Sequence, residues 1–393
     1  MAESWDDWGP FYTPMYNQLV GLDGSTVEMC SSLNSNPGTQ RVCGAPGLTT
    51  FPRGRLAARL AQYAVATSTL AFDIAHRHDL MHDLLEIYRR GDDAAPRPPC
   101  CPAPFDVANN WMHEYPTAFV IPRGLGQGSD PEANRLVRWL LFNGIEVSRL
   151  QKDDRFGSQT FPAGSYVVWM NQAHRGLADT ALDIGVDVSS QIGVLYAPPG
   201  AWSHGYLWGA SLVTIPHGTA FKAKTKPIDE SEPLAGGVAA VSGDRYALTV
   251  DSPTAVRVLN QLVRDGVSAQ LALASFVSGG NTYPAGSAIF PADPAAQAAL
   301  QAAGSANGVF FRPVSSASLP ALDPIDRVPR IAVLTAAVNQ DIWVLRNLGF
   351  TADPVATGTT SALNNPARPI RWRATTSSST PPPGRRARRR GPG

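Results

Sequence analysis

A long internal repeat constrains the fold of this chain more than any other feature of its sequence. The second copy lies 122 residues after the first, and the central parts of the two align without a gap. Self-similarity at a fixed period is typical of repeated structural units, so we interpret the pattern as the duplication of one unit. The matching segments are Asp130-Pro131 with Ser252-Pro253, Arg135–Val137 with Arg257–Leu259, Gly144-Ile145 with Gly266-Val267, and Phe161–Ser165 with Tyr283–Ser287.

Each copy is predicted to alternate strands with helices. The apolar run 117–122 predicts a buried strand, and Ser129 before Asp130-Pro131 predicts a helix start with a capping side chain. The helix is expected to end at Asn143-Gly144, and Ile145–Val147 is expected to form the next strand. This order predicts an α/β unit whose two strands form a parallel pair.

The turn Pro-Ala-Gly-Ser recurs in both copies and is expected to deliver the chain into a further strand. That strand is Tyr166–Met170 in the first copy and Ala288–Phe290 in the second. We therefore place the first α/β repeat at 116–235 and the second at 236–325.

A third, incomplete α/β unit is predicted at 326–365. Arg330–Thr335 has the composition of a buried strand, and a helix is expected from Asn339 to Leu348, ending at Gly349-Phe350. The segment resembles the first strand and helix of class I glutamine amidotransferase-like domains, which implies a partial flavodoxin-like unit. Those domains need a nucleophilic cysteine, and the chain has none after Cys101. Amidotransferase chemistry is therefore not expected.

The segment before the repeats contains a carboxylate, Glu28, within the apolar run Thr26–Cys30. Burying a charge costs several kcal/mol unless it is paired, so Glu28 is either a solvent-facing residue or a group kept for chemistry. The surrounding sequence resembles the end of the catalytic domain of zinc carboxypeptidases, the carboxypeptidase A-like metallopeptidases. The likeness is carried by Gly9–Tyr16, Gly21–Met29 and Arg59–Tyr88.

This resemblance implies a function as well as a fold. Residues 1–92 would be the C-terminal remnant of a carboxypeptidase α/β domain, and 93–115 a linker. Glu28 would be the general base that activates a zinc-bound water, and Tyr12 or Tyr16 would face a peptide substrate. The implied activity is release of C-terminal residues from peptides, with zinc as cofactor.

The zinc ligands that the family uses are missing from this chain. They form a His-x-x-Glu pair and a second histidine upstream of the glutamate, whereas only 27 residues precede Glu28 and the first histidine is His76. We therefore assign no metal ligands and expect the chain to be inactive as it stands. His78, His82 and Glu86 share one face of a predicted helix and echo a zinc-binding helix, but the preferred interpretation is an amphipathic helix whose polar side carries them.

A candidate pocket lies in the aromatic loop 196–208, where Trp202, His204 and Tyr206 could line a ligand site. The alternative is an aromatic plug between the two repeats. Ser203 and His204 are neighbours in the chain, which does not favour a nucleophile and base pair. The second functional hypothesis is therefore a non-catalytic α/β module that binds a ligand or has a structural role.

Composition and charge limit the remaining function classes. The net charge of +1 gives no electrostatic case for nucleic acid, and no uninterrupted apolar run of about 18 residues suggests a membrane span. No signal peptide is recognised. The tail 366–393 is predicted to be disordered, with an out-of-frame origin as the alternative. Localisation and oligomeric state are left open.

Overall fold

The computed structural model describes residues 13–24, 39–40, 51–52, 55–97, 114–124, 127–185, 203–232, 235–239, 243–335 and 340–356. These residues form an α/β fold of helices with antiparallel and mixed sheets. The chain divides into two compact units, residues 1–325 and 326–393. The predicted tail lies outside the described residues.

The described residues before the first sheet are mainly helical. It contains α1 (Thr13–Leu19), the short paired strands β1 (Thr39–Gln40) and β2 (Phe51–Pro52), and α2 (Arg55–Asp92). The 38 residues of α2 make a helix about 57 Å long at 1.5 Å per residue. Within the described residues, no helix combines the length and the apolar character needed to cross a membrane.

The region of the first sheet contains β3 (Ala118–Ile121), α3 (Asp130–Phe142), β4 (Val147–Leu150), β5 (Asp154–Phe156), β6 (Gln159–Phe161), β7 (Tyr166–Trp169), α4 (Arg175–Leu182), α5 (His204–Trp208), β8 (Val213–Ile215) and β9 (Thr225–Ile228). The sheet has five strands in the order β8-β3-β7-β4-β9. The helices α3 and α4 cover one face and form a core with β3 and β7. Phe161 and Phe221 cover the other face.

The predicted parallel pair of strands on either side of α3 is wrong. β3 and β4 do run in the same direction, but β7 lies between them and is antiparallel to both. The hairpin β5-β6 lets the chain turn back, so β7 can enter the gap. β7 is apolar along its whole length and is largely buried on both faces, which suits a central position.

The region of the second sheet contains β10 (Gly237–Val238), β11 (Arg245–Leu248), α6 (Pro253–Arg264), β12 (Gln270–Ala272), β13 (Phe276–Ser278), β14 (Asn281–Tyr283), β15 (Ala288–Pro291), α7 (Pro294–Asn307), β16 (Phe310–Val314), a 3-10 turn (Ser316–Ser318) and β17 (Leu322–Pro324). The sheet has six strands in the order β10-β16-β11-β15-β12-β17. Its core lies between the strands and the helices α6 and α7.

Four strands are arranged alike in the two sheets. The order β8-β3-β7-β4 in the first corresponds to β16-β11-β15-β12 in the second, and every neighbouring pair in both sets is antiparallel. In chain order, a helix follows the first and the third strand of each set: α3 and α4 follow β3 and β7, and α6 and α7 follow β11 and β15. This is the split β-α-β arrangement of ferredoxin-like folds.

The predicted helix boundaries in the first half are confirmed, apart from the cap. The helix α3 begins after Ser129 and ends with Asn143 as its C-cap, but the Ser129 hydroxyl makes no capping hydrogen bond. In the second half, Ser252 does cap α6, because its hydroxyl accepts a hydrogen bond from the Ala255 N–H at 3.1 Å.

The second compact unit contains one β-α-β element. The parallel strands β18 (Arg330–Thr335) and β19 (Thr351–Ala356) are joined by α8 (Gln340–Asn347). The predicted strand and helix are therefore confirmed. An ion pair of 2.5 Å between Arg330 and Asp353 links the two strands.

Two glycines at equivalent helix ends provide a matched test of packing. Gly144 follows α3 with φ +73°, and Gly266 follows α6 with φ +83°. A methyl group on Gly144 would lie 2.7 Å from the His174 ring, whereas nothing lies within 4 Å of one on Gly266. The two positions thus share the conformational strain of a left-handed residue and differ in the clash.

We predict that Gly266→Ala lowers the free energy of unfolding by about 1 kcal/mol, the cost of a side chain in the left-handed region. Gly144→Ala should cost about 1–3 kcal/mol more, because it also overpacks the contact with His174. Urea unfolding followed by circular dichroism measures both. Equal losses for the two variants would show that His174 moves aside freely.

Candidate functional site

The predicted catalytic and pocket residues are only partly within the described region. Glu28, Tyr12 and Trp202 lie outside it. Tyr16 lies on α1, where it is half-buried and packs against the core of the first sheet. His204 and Tyr206 both lie on the short helix α5.

The histidines of α2 do not fit a zinc centre. His78 and His82 are exposed on the helix, and His82 lies 3.6 Å from the neighbouring Asp83. Glu86, the third member of the candidate set, is held by two hydrogen bonds from Arg89 at 2.7 and 2.8 Å. These bonds lower the pKa of Glu86. Across the described residues, no three His, Cys, Asp or Glu side chains are grouped to hold a metal ion.

The aromatic helix α5 is anchored by a buried histidine. The His204 ring lies 4.3 Å from the Trp139 ring and 5.4 Å from the Trp208 ring, measured between centroids. Arg135 lies 5.5 Å from the Trp208 ring centroid, a cation–π distance. His204 is thus packed against rings of α3 and α5, and it stabilises the position of the short helix.

The same helix presents two side chains to solvent. Tyr206 is 66% exposed and Leu207 is 51% exposed. The residues around them are fixed, because α5 packs on α3 and ends at Gly209, whose positive φ closes the last turn. The aromatic side chain of Tyr206 and the aliphatic side chain of Leu207 are therefore held at the surface by a helix that is fixed in position.

A second cluster of polar groups joins the two halves of the first unit. Glu132, almost completely buried, accepts a hydrogen bond from the Thr254 N–H at 3.1 Å and one from Arg135 at 2.6 Å. Asn134 donates to the Ala235 and Gly308 carbonyl oxygens at 3.3 Å, and it accepts from the Tyr166 hydroxyl at 2.9 Å. The polar groups of α3 thus satisfy buried groups of the second half.

The acidic residues near this cluster influence one another. Desolvation raises the pKa of Asp251 to about 6, and the neighbouring negative charge of Asp130 also raises it, although the residue as a whole stays exposed. Asp130 itself lies 3.6 Å from Arg312 and accepts the Gly124 N–H. The site therefore combines three carboxylates with two arginines at the junction of the halves.

Sequence reasoning missed this junction. The signal that could have found it is the polar run of Glu132 and Asn134 on the inward side of a helix start, where apolar residues are the rule. The aromatic residues were recognised from composition, because Trp, Tyr, His and Gly are dense in 196–208, but they were predicted to form a loop, whereas His204–Trp208 is a short helix.

A third anchor fixes the segment after α2. The guanidinium groups of Arg97 and Arg175 lie 3.7 and 4.3 Å from the Tyr115 ring centroid. Arg97 also forms an ion pair of 2.5 Å with Asp179 on α4. Burial lowers the pKa of Arg175. These contacts are those of a structural joint between the α2 segment and the first sheet.

No protein-family model, curated protein or solved structure matches this chain.

We predict that Glu132→Ala lowers the free energy of unfolding by about 1–3 kcal/mol, since it leaves the buried Thr254 N–H without an acceptor. Glu132→Gln should cost less, because the amide oxygen can still accept that bond while only the charge opposite the half-exposed Arg135 is lost. The exposed Glu146 is the control: Glu146→Ala should change stability by no more than about 0.5 kcal/mol. Urea titrations of the three variants provide the measurement, and a neutral Glu132→Ala would show that water replaces the carboxylate.

Proposed function

We propose that residues 116–325 are a non-catalytic binding module, built by duplication of one split β-α-β unit, that presents the helix α5 to a peptide or protein partner. The single observation that carries the binding role is that Tyr206 and Leu207 are exposed on a helix whose first residue, His204, is buried against Trp139. Aromatic side chains fixed in this way bind partners at a low cost in conformational entropy.

The duplication is supported by a contact between equivalent positions. Glu132 and Thr254 are 122 residues apart, which is the repeat offset of the sequence, and they are joined by a hydrogen bond. When equivalent positions of two similar units meet, a two-fold axis relates the units near that point. The helices α3 and α6 pack together at this junction.

The junction also supports a rigid scaffold. Each buried hydrogen bond across it would be left unmade if the halves separated, at a cost of about 1–3 kcal/mol per group. A scaffold that does not flex keeps α5 in one position, which suits recognition by surface contact.

Selection of a random peptide library displayed on phage against the immobilised full chain tests the proposal. We expect peptides enriched on the wild type to lose binding at least tenfold on Tyr206→Ala and Leu207→Ala. Leu273→Ala is the matched control, because Leu273 is 61% exposed in the second half and should leave binding unchanged. Absence of enrichment, or equal loss with the control, would contradict the binding role.

Membership of the zinc carboxypeptidase family is a second candidate, favoured by one specific observation. In the resemblance, the strand that carries the general-base glutamate precedes the last long helix, and the 38-residue helix α2 follows Glu28 in the chain. The residues of α2 do not fit zinc, so no catalytic step is derived for this chain. This second proposal is therefore a relative of the family that retains Glu28 in its sequence but lacks the zinc ligands.

For this second candidate we predict less than one-tenth of a zinc ion per chain after incubation with zinc and gel filtration, measured by mass spectrometry of the metal. Hydrolysis of a chromogenic acyl dipeptide with a free C-terminal carboxylate should be the same for the wild type and Glu28→Gln. Stoichiometric zinc together with turnover that Glu28→Gln abolishes would show that the chain is an active peptidase.

A further inference from the structure

The helix α2 carries a long stripe of side chains at alternating spacings of three and four residues. This spacing is that of the seam positions a and d in a coiled coil. Most members are apolar, and Thr67 and Arg77 are the polar ones among those before Gly91. The stripe consists of Leu60, Tyr63, Thr67, Leu70, Ile74, Arg77, Met81, Leu84, Tyr88 and Gly91.

The C-terminal third of the stripe is covered by the same chain. The Leu84 side chain approaches Gly21, and Tyr88 donates a hydrogen bond to the Val20 carbonyl oxygen at 3.0 Å. The backbone of Gly91 lies against that of Gln172, where a methyl group on the glycine would be 2.3 Å from the carbonyl oxygen. The stripe therefore serves as a packing surface where the chain reaches it.

The rest of the stripe, from Leu60 to Met81, is exposed. Five of its large apolar side chains are each more than half exposed: Leu60, Tyr63, Leu70, Ile74 and Met81. They extend over 22 residues, about 33 Å of helix. An exposed apolar surface of this length is typical of an interaction site. It continues directly from the part that is already packed.

We propose that this exposed stripe binds a second copy of the same chain in an antiparallel two-stranded coiled coil. The proposal goes beyond the binding role of α5 and does not depend on it. The two surfaces are different, since α2 precedes the first sheet and α5 packs on α3.

One antiparallel register matches the exposed seam positions from Tyr63 to Met81 to partners of the same kind. When Leu70 faces Ile74 of the second copy, Tyr63 faces Met81. The same register places Thr67 opposite Arg77, so the two polar positions meet each other. No apolar side chain is then paired with a polar one.

A parallel dimer has no such register. With the helices aligned in parallel, Arg77 would face Arg77 of the second copy inside the seam, and two like charges there are unfavourable. A parallel pair would also place both folded bodies at one end, because the described residues contact the stripe in the C-terminal third of α2. The antiparallel arrangement separates the bodies.

The flanking positions predict that the dimer is weak. Ala64 and Ala71 lie beside the seam and allow close approach, but Asp73 faces Asp73 of the second copy near the two-fold axis. Three heptads are also near the lower limit for a stable coiled coil. We therefore expect association that depends visibly on concentration.

Sedimentation velocity of the full chain between about 1 and 200 µM tests the proposal. The wild type should shift from monomer to dimer, and Leu70→Asp should weaken association at least 100-fold. Phe72→Asp is the matched control, because Phe72 is 52% exposed on the same helix but points away from the seam. Far-UV circular dichroism checks that both variants keep their helix content.

A charge substitution tests the register. Thr67→Glu would face Arg77 in the antiparallel dimer and should tighten association about three- to tenfold, whereas in a parallel dimer it would face its own copy and weaken association. A monomer at every concentration would overturn the proposal. So would equal weakening by Leu70→Asp and Phe72→Asp, and weakening by Thr67→Glu would overturn the antiparallel register.

Discussion

The hydrogen bond from the Thr254 N–H to Glu132 is the contact on which the assembly of the first unit depends. A helix begins with N–H groups that have no partner within the helix, and Thr254 lies at the buried start of α6. Ser252 satisfies the Ala255 N–H, and Glu132 of the other half satisfies that of Thr254. The second half therefore obtains part of its helix cap from the first, which makes the folding of the two interdependent.

The junction is symmetric in its backbone and asymmetric in its chemistry. Equivalent positions meet at residues 132 and 254, yet the carboxylate that serves the contact comes from α3 alone. Asn134 adds contacts to Ala235 and Gly308, whereas its equivalent, 122 residues later, is the apolar Val256. If the halves arose by duplication, α3 has since acquired the polar groups that join them. A homodimer could not use this solution, because both of its α3 helices would carry the same charge.

Local sequence signals predicted the elements well and their arrangement poorly. Ser129, Asn143-Gly144 and the run 330–335 mark boundaries that short-range chemistry sets, and those boundaries are confirmed. The predicted pairing of β3 with β4 was wrong because β7 lies between them and pairs with both. This central position buries both faces of β7. That is a property of the assembled core and not of the segment between the strands.

The candidate site shows the same division between composition and geometry. The aromatic loop could be recognised from its residues, but which ring is buried and which is exposed depends on the packing of α5 against α3. His204 is buried and Tyr206 is exposed, although both are polar aromatic residues only two positions apart. Glu132 was missed because its partner is a backbone N–H. Nearly every residue carries this group, so the pattern of side chains in the sequence does not indicate which one Glu132 contacts.

The helix α2 links folding to association. Isolated helices depend on packing for most of their stability, and the contacts that the described residues make with the stripe of α2 lie in its last third. The first two-thirds would gain its packing from the second copy, so helix order and dimer formation would be coupled by mass action. In the C-terminal third, Tyr88 is hydrogen-bonded to Val20 and His174, and these contacts fix the helix axis and the rotation of the stripe. The direction in which Leu70 and Ile74 face is consequently set by contacts made several turns away.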